Sequence, residues 1–180
     1  MRVSEDRLSA ASFEELALPL FDQLYNFAHW LTQDRAEAED LVQETYAKAL
    51  SGFSSFRAGT NFRAWMYRIL RNSFLSSRTG LKTMVVLDEE SGEGLPAETA
   101  TPESLLVEQA DRESVQQALE GLALPFREIL LLCEVEEMSY QEIAETLAIP
   151  MGTVMSRLYR ARQALRGALL EKMKGGRHGM

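Results

Sequence analysis

Apolar residues recur at three- and four-residue steps through most of this chain, and no stretch sustains the two-residue alternation of a half-buried strand. That period restricts the fold to packed amphipathic helices, an all-α class. Ser12 and Glu15 have capping-box spacing and open a first helix carrying the stripe Phe13, Leu16, Leu20, Leu24, Phe27 and Leu31, with Pro19 a kink or a late start. Asp34 and Glu37 repeat the signal. The helix after them is expected to bury Ala38, Leu41, Val42, Thr45 and Ala49 and to turn Glu37, Asp40, Glu44 and Lys48 outward. Ser51-Gly52 and Ala58-Gly59-Thr60-Asn61 mark a loop. A third helix is expected from about Phe62 to Ser77, with Trp65, Ile69 and Leu70 inward.

The period fails over residues 79–104, where Gly80, Gly92, Gly94, Pro96 and Pro102 lie among Asp88, Glu89, Glu90, Glu93, Glu98 and Glu103. Such a composition reads as a linker that its own charge keeps extended. The expected plan is two small helical domains joined by a flexible acidic linker. An N-terminal domain spans 1–80, the linker 81–110, a helix-turn-helix domain 111–174 and a tail 175–180, which closes the frayed Gly- and Lys-rich stretch K-M-K-G-G-R-H-G-M. In the second domain Pro125 starts a helix with Phe126, Ile129, Leu130 and Cys133 on one face. Ser139 caps a short helix with Glu142 at the box position and Ile143, Ala144 and Leu147 inward. After the turn Ala148-Ile149-Pro150-Met151-Gly152, a longer helix buries Val154, Leu158, Ala161, Leu165 and Ala168. Thr153, Ser156, Arg157 and Arg160 fall on its opposite, solvated side.

The formal net charge of −8 argues against nucleic acid, whose binding domains are usually basic. The average hides unlike blocks. Residues 1–50 carry 4 basic and 10 acidic groups, and residues 83–149 carry 2 against 16. Residues 51–82 hold six basic residues and no acid, and residues 150–180 hold 7 basic and 1 acidic. Local field matters more than total charge in steering a polyanion. The first basic block contains F-R-A-W-M-Y-R-I-L-R-N-S-F, where Arg alternates with rings. Cations can track phosphates while rings stack on the bases of melted DNA. The second begins within E-I-A-x-x-L-x-x-P-x-G-T-V (Glu142–Val154), the spacing of a helix-turn-helix whose second helix enters a major groove. There Arg can bond guanine bidentately, Thr and Ser can reach base or phosphate, and Arg162 and Arg166 can hold the backbone.

Other chemistries find little in the residues. No apolar run approaches the roughly 18 residues of a membrane span, and the N-terminus lacks the apolar core of a signal peptide. The single Cys133 cannot form an internal disulfide, which fits a reducing, cytoplasmic setting; it reads as a small buried hydrophobe. His29 and His178 do not pair with it at metal-like spacing, and no Gly-rich phosphate loop occurs. No enzyme, cofactor, metal or small-molecule substrate is expected.

Three stretches carry a resemblance: D-L-V-Q-E-T-Y-A-K-A-L (Asp40–Leu50), F-R-A-W-M-Y-R-I-L-R-N (Phe62–Asn72) and S-Y-Q-E-I-A-E-T-L-A-I-P-M-G-T-V-M-S-R-L-Y-R-A-R (Ser139–Arg162). In these, and in their order and separation, the chain resembles the extracytoplasmic-function (ECF) sigma factors, the two-domain class of bacterial transcription initiation factor. The resemblance covers residues from about 18 to 170, and a weaker likeness points to the branch restrained by zinc-containing anti-sigma proteins. It implies that Asp40, Gln43 and Glu44 dock on core RNA polymerase, where outward carboxylates suit a basic surface. It implies further that the loop from Phe56 to Phe62 captures an unstacked base of the −10 element. Asn61, Arg63, Trp65, Arg68, Arg71 and Asn72 would then meet −10 DNA. Thr153, Ser156, Arg157, Arg160 and Arg162 would meet the −35 element, and the acidic linker would follow the RNA path. The implied partners are the polymerase, promoter DNA and an anti-sigma factor. The chain departs from the family where residues 73–80, often a basic extension of the −10 helix, are mostly neutral.

A helix-turn-helix also serves regulators that act without polymerase, and that is the alternative reading. A third is an adaptor that uses the Asp40 helix without touching DNA.

Overall fold

The computed structural model describes residues 12–79 and 111–176; the expected linker, 81–110, lies outside the described residues, as do the chain ends. The described residues are helical, without strands, and the chain divides into two compact units.

In the first unit, residues 12–17 are helical and run into a 3-10 turn, Leu18–Leu20, followed by α1 (Phe21–Thr32). Pro19 sits in the first turn of the 3-10 segment, where its missing N–H is not needed. The tighter winding shifts the register of the apolar stripe. Phe13, Leu24, Phe27 and Leu31 are buried as expected, but Leu16 is 45% exposed and Ala17 takes its buried place. Gln33 closes α1 with φ +57, its N–H donating to the His29 carbonyl at 2.7 Å.

Asp34 caps α2 (Arg35–Gly52), its carboxylate accepting from the Glu37 N–H at 2.9 Å. The buried face is the expected one: Ala38, Leu41, Val42, Thr45 and Ala49. Tyr46 reaches back to donate to the Ala17 carbonyl at 2.6 Å. Burial first, and the negative charge of Asp22 second, push its phenol up to about 12. A 3-10 turn (Phe53–Ser55) and a loop lead to α3 (Phe62–Thr79), which packs on α1 and α2.

The buried face of α3 is Ala64, Met66, Tyr67, Leu70, Ser73 and Phe74. Leu70 is inward as expected, whereas Trp65 and Ile69 are only half-buried. Tyr67, fully buried with its ring 5.3 Å from that of Phe27, fills the space assigned to Trp65. Met66, Leu70 and Phe74 share that side with Tyr67, and their joint burial, not that of any single ring, sets the inward orientation.

In the second unit, Asp111 caps α4 (Arg112–Glu120), accepting from the N–H of Ser114 at 2.8 Å and from its hydroxyl at 3.1 Å. Both bonds hold the Asp111 carboxyl below its usual range. Pro125 opens α5 (Leu124–Leu130), which continues into a π-turn, Leu131–Val135. That wider turn moves the chain off the α5 face, leaving Cys133 half-buried rather than buried and Val135 51% exposed. Phe126 is likewise half-buried.

Ser139 and Glu142 form the expected reciprocal box at the start of α6 (Tyr140–Leu147): the Ser139 N–H donates to Glu142 Oε2 at 2.8 Å, and the Glu142 N–H donates to Ser139 Oγ at 3.2 Å. Ala148, at φ +54, ends it, and α7 (Met151–Gly176) begins at once, so Met151 and Gly152 belong to the helix and not to the turn. The α7 seam is Val154, Leu158, Ala161 and Leu165, then Leu169 in place of Ala168. It packs on α5 and α4. Residues 171–174, expected to end the domain, and 175–176, expected to fray, are helical; Lys172 Nζ holds the last turns to Gln117 Oε1 at 2.6 Å.

Candidate nucleic-acid interface

The loop between α2 and α3 is built on rings. Phe13 meets Phe53 at 5.4 Å, Phe53 stacks on Phe56 at 6.1 Å, and Phe56 meets Phe62 at 5.3 Å and Trp65 at 5.1 Å. Phe53, Phe56, Phe62 and Trp65 are all half-buried, so the cluster both supports the loop and shows ring edges to solvent. Gly59 takes φ +89, a conformation that side chains rarely adopt, and Thr60 closes the turn by donating from Oγ1 to the Arg57 carbonyl at 2.7 Å. Asn61 begins α3 as its cap: Oδ1 accepts from the Ala64 N–H at 3.0 Å.

Spacing then sorts the residues singled out on α3. Asn61, Trp65, Arg68 and Asn72 follow one another at steps of four, three and four, on the side opposite Met66 and Leu70. Arg68 and Asn72 are exposed, Asn61, Trp65 and Arg71 half-buried. Arg63 is not part of this line: its guanidinium lies over the buried Tyr67 ring, 5.7 Å from the centroid. The arrangement offers a capped loop with a glycine turn, ring edges and a polar, cationic stripe free of carboxylates. Those are the elements needed to hold an unstacked strand. Arg78 at the far end is committed differently, pairing with Glu37 at 2.8 Å and covering the Phe74 ring at 5.1 Å.

On α2, Asp40, Gln43 and Glu44 are exposed side by side at i, i+3 and i+4. Glu44 Oε1 pairs with Lys48 Nζ at 2.6 Å, and Lys48 donates in turn to Ser73 Oγ on α3 at 3.0 Å. The acidic face is thereby braced against the helix that carries the cationic stripe.

On α7, Thr153, Arg157 and Arg160 share one side at steps of four and three, and all three are half-buried. Ser156 is not on the solvated side: it is 5% exposed, its hydroxyl turned back to donate to the Thr153 carbonyl at 3.2 Å. Arg162 stands apart, its Nη2 2.9 Å from Glu134 Oε1 and 3.7 Å from Cys133 Sγ, tying α7 to the π-turn. Sequence reasoning missed the supporting ring Phe53 and placed Phe56 in the loop without a supporting role for its ring, which the density of Phe before α3 could have revealed. It also missed Met155 and Tyr159, which are 41% and 44% exposed on α7. Among the described residues no group of His, Cys, Asp and Glu could hold a metal, and no helix is long and apolar enough to cross a membrane.

The sigma-70 region 2 family model matches residues 19–82, and that of sigma-70 region 4 matches residues 112–165. The ECF RNA polymerase sigma factor SigE of Mycolicibacterium smegmatis is 36% identical over 91% of this chain, which spans 64% of that longer protein. The ECF RNA polymerase sigma factor SigW of Bacillus subtilis is 33% identical, with 82% of this chain and 83% of that protein covered. Among solved structures, the sigma factor RpoE of Bartonella quintana, crystallised with its anti-sigma factor NepR, matches at a TM-score of 0.66 and 31% identity, covering 88% of this chain and 96% of that one. With both regions matched in order and such identity over most of its length, the chain belongs to the ECF RNA polymerase sigma factors of the sigma-70 family.

Proposed function

We propose that this chain binds core RNA polymerase and directs promoter-specific transcription initiation. The observation that carries the reading is the pairing of two units in one chain. One unit presents a ring-supported loop beside an acid-free cationic stripe; the other presents a capped helix-turn-helix. The first unit, assigned to residues 1–80, docks on the polymerase through Asp40, Gln43 and Glu44. It melts and holds the −10 element with Asn61, Trp65, Arg68, Arg71 and Asn72. Unstacking a base costs a few kcal/mol, which contacts to the extruded base offset. Arg63 acts from its place over Tyr67 by lending positive field to the loop. The second unit, assigned to residues 111–174, reads the −35 duplex with Thr153, Arg157 and Arg160. Ser156 holds the first turn of the helix, and Arg162 contributes once it exchanges Glu134 for phosphate.

Residues 81–110 are assigned as the acidic linker along the RNA path, and the protein works in the cytoplasm without catalysing a reaction itself. An anti-sigma protein is its regulator; the complex of the Bartonella quintana RpoE with NepR supports this partner class. Both family matches favour this reading over a regulator that acts without polymerase. The test is direct. The purified chain should pull down core polymerase and support promoter-specific transcription in vitro, and failure of both overturns the proposal.

A further inference from the structure

The structure moves the exposed chemistry of α7 away from where sequence periodicity had put it. Ser156 is turned in, and the first two exposed turns present an apolar line, Met151, Met155 and Tyr159, at successive steps of four. Each is 41–44% exposed. A single exposed apolar side chain needs no explanation, but three in line on the N-terminal half of a helix-turn-helix second helix occupy the part that enters a major groove. The same half carries Arg157 and Arg160, and residues 150–170 contain no acid, so a polyanion is the partner that the surrounding charge favours.

Within a major groove, the base edge that complements an apolar side chain is the C5-methyl group of thymine; the other edge groups are donors and acceptors. Resting on the sigma reading above, we propose that Met155 and Tyr159 discriminate thymine in the −35 element by packing against its methyl group. Met155 supplies a flexible thioether arm that fits an irregular surface. Tyr159, one turn further along, supplies a ring face. Arg160, next to Tyr159 along the helix, contributes charge at the edge of the apolar line, while the methyl contact selects the base.

The experiment removes the methyl from the DNA before it alters the protein. The −35 preference of the assembled holoenzyme is first defined by selection from randomised duplex with the −10 element held constant. At least one thymine, on either strand, is expected among the preferred positions. Replacing it by deoxyuridine should weaken promoter binding about fourfold, the value of one buried methyl-sized group. Met155→Ala or Tyr159→Ala should weaken binding to thymine-bearing DNA by a similar factor and abolish the difference between thymine and deoxyuridine. Met173→Ala, exposed at the far end of the same helix, should leave both affinities unchanged.

A selected site without thymine overturns the assignment. So does promoter binding indifferent to the methyl, or a methyl effect that survives in both the Met155→Ala and Tyr159→Ala proteins. Failure of the chain to assemble with core polymerase is a different result: it overturns the sigma reading, and this assignment falls with it.

Discussion

At Tyr46, burial and a nearby charge act on a single proton. The phenol donates to the Ala17 carbonyl at 2.6 Å, and burial with Asp22 nearby raises its pKa to about 12. An unfolded phenol titrates near 10. The protonated form is the one the fold stabilises, so this contribution is intact below pH 10 and is lost as pH rises through about 12. Tyr46 should therefore resist ionisation in an absorbance titration until about pH 12. Tyr46→Phe should remove that late step and cost about 1 kcal/mol in denaturant unfolding. A late step of unchanged amplitude in the variant would assign the proton elsewhere. Trp65 tests the proposed function at the same scale. If an unstacked −10 base lies on its ring, Trp65→Ala in the holoenzyme weakens binding to a pre-melted promoter by about 1–3 kcal/mol and leaves the −35 preference unchanged. Neither Trp65 nor Ser156 could be placed from sequence, for different reasons. Tyr67 competes with Trp65 for the same interior space, and a serine hydroxyl can satisfy itself on its own helix backbone.

Helix starts were legible where caps are local. Asp34, Asp111 and Ser139 each accept from the N–H three residues on, and two of these, Asp34 and Ser139, were readable from spacing alone. Ser139→Ala should destabilise the second unit by about 1 kcal/mol with its two-state unfolding preserved, measured by denaturant titration. For Asp111 the carboxylate is the capping form and its pKa is lowered by Ser114. Its contribution is therefore present above about pH 4 and disappears as pH falls further. Asp111→Asn should flatten that acid limb, and an unchanged limb would show that the cap contributes nothing. Element faces were less legible wherever the winding changes. The 3-10 turn at Leu18–Leu20 puts Leu16 outside, and the π-turn at Leu131–Val135 half-exposes Cys133, because a constant 3.6-residue period cannot anticipate a local change of pitch. By contrast α2, with no such interruption, buries the five residues its sequence pattern assigned.

Over the whole molecule the net charge of −8 is a poor guide, because it averages acidic and basic blocks and because some charges within each unit already face one another. Glu44 faces Lys48, Arg78 faces Glu37 and Arg162 faces Glu134, at 2.6, 2.8 and 2.9 Å. Pairs this exposed are worth little to stability, about 0–1 kcal/mol, yet each takes a charge out of the field that a partner feels. This ranks residues that sequence alone leaves equal. Asp40→Lys and Glu44→Lys together should abolish association with core polymerase while far-ultraviolet circular dichroism stays unchanged. Singly, Asp40→Lys should cost more than Glu44→Lys, since the second charge is shared with Lys48. The same logic applies on DNA. A cation that neutralises a phosphate adds about 0.9 to the slope of log affinity against log salt. Arg160→Ala should therefore lower the slope of promoter binding by about one. Arg162→Ala should lower it by clearly less, because that guanidinium already faces Glu134 and must give up one anion to meet another. Equal slopes for the two variants would mean that Glu134 does not hold Arg162 back from phosphate, and Glu134→Gln would then leave the Arg162→Ala slope where it was.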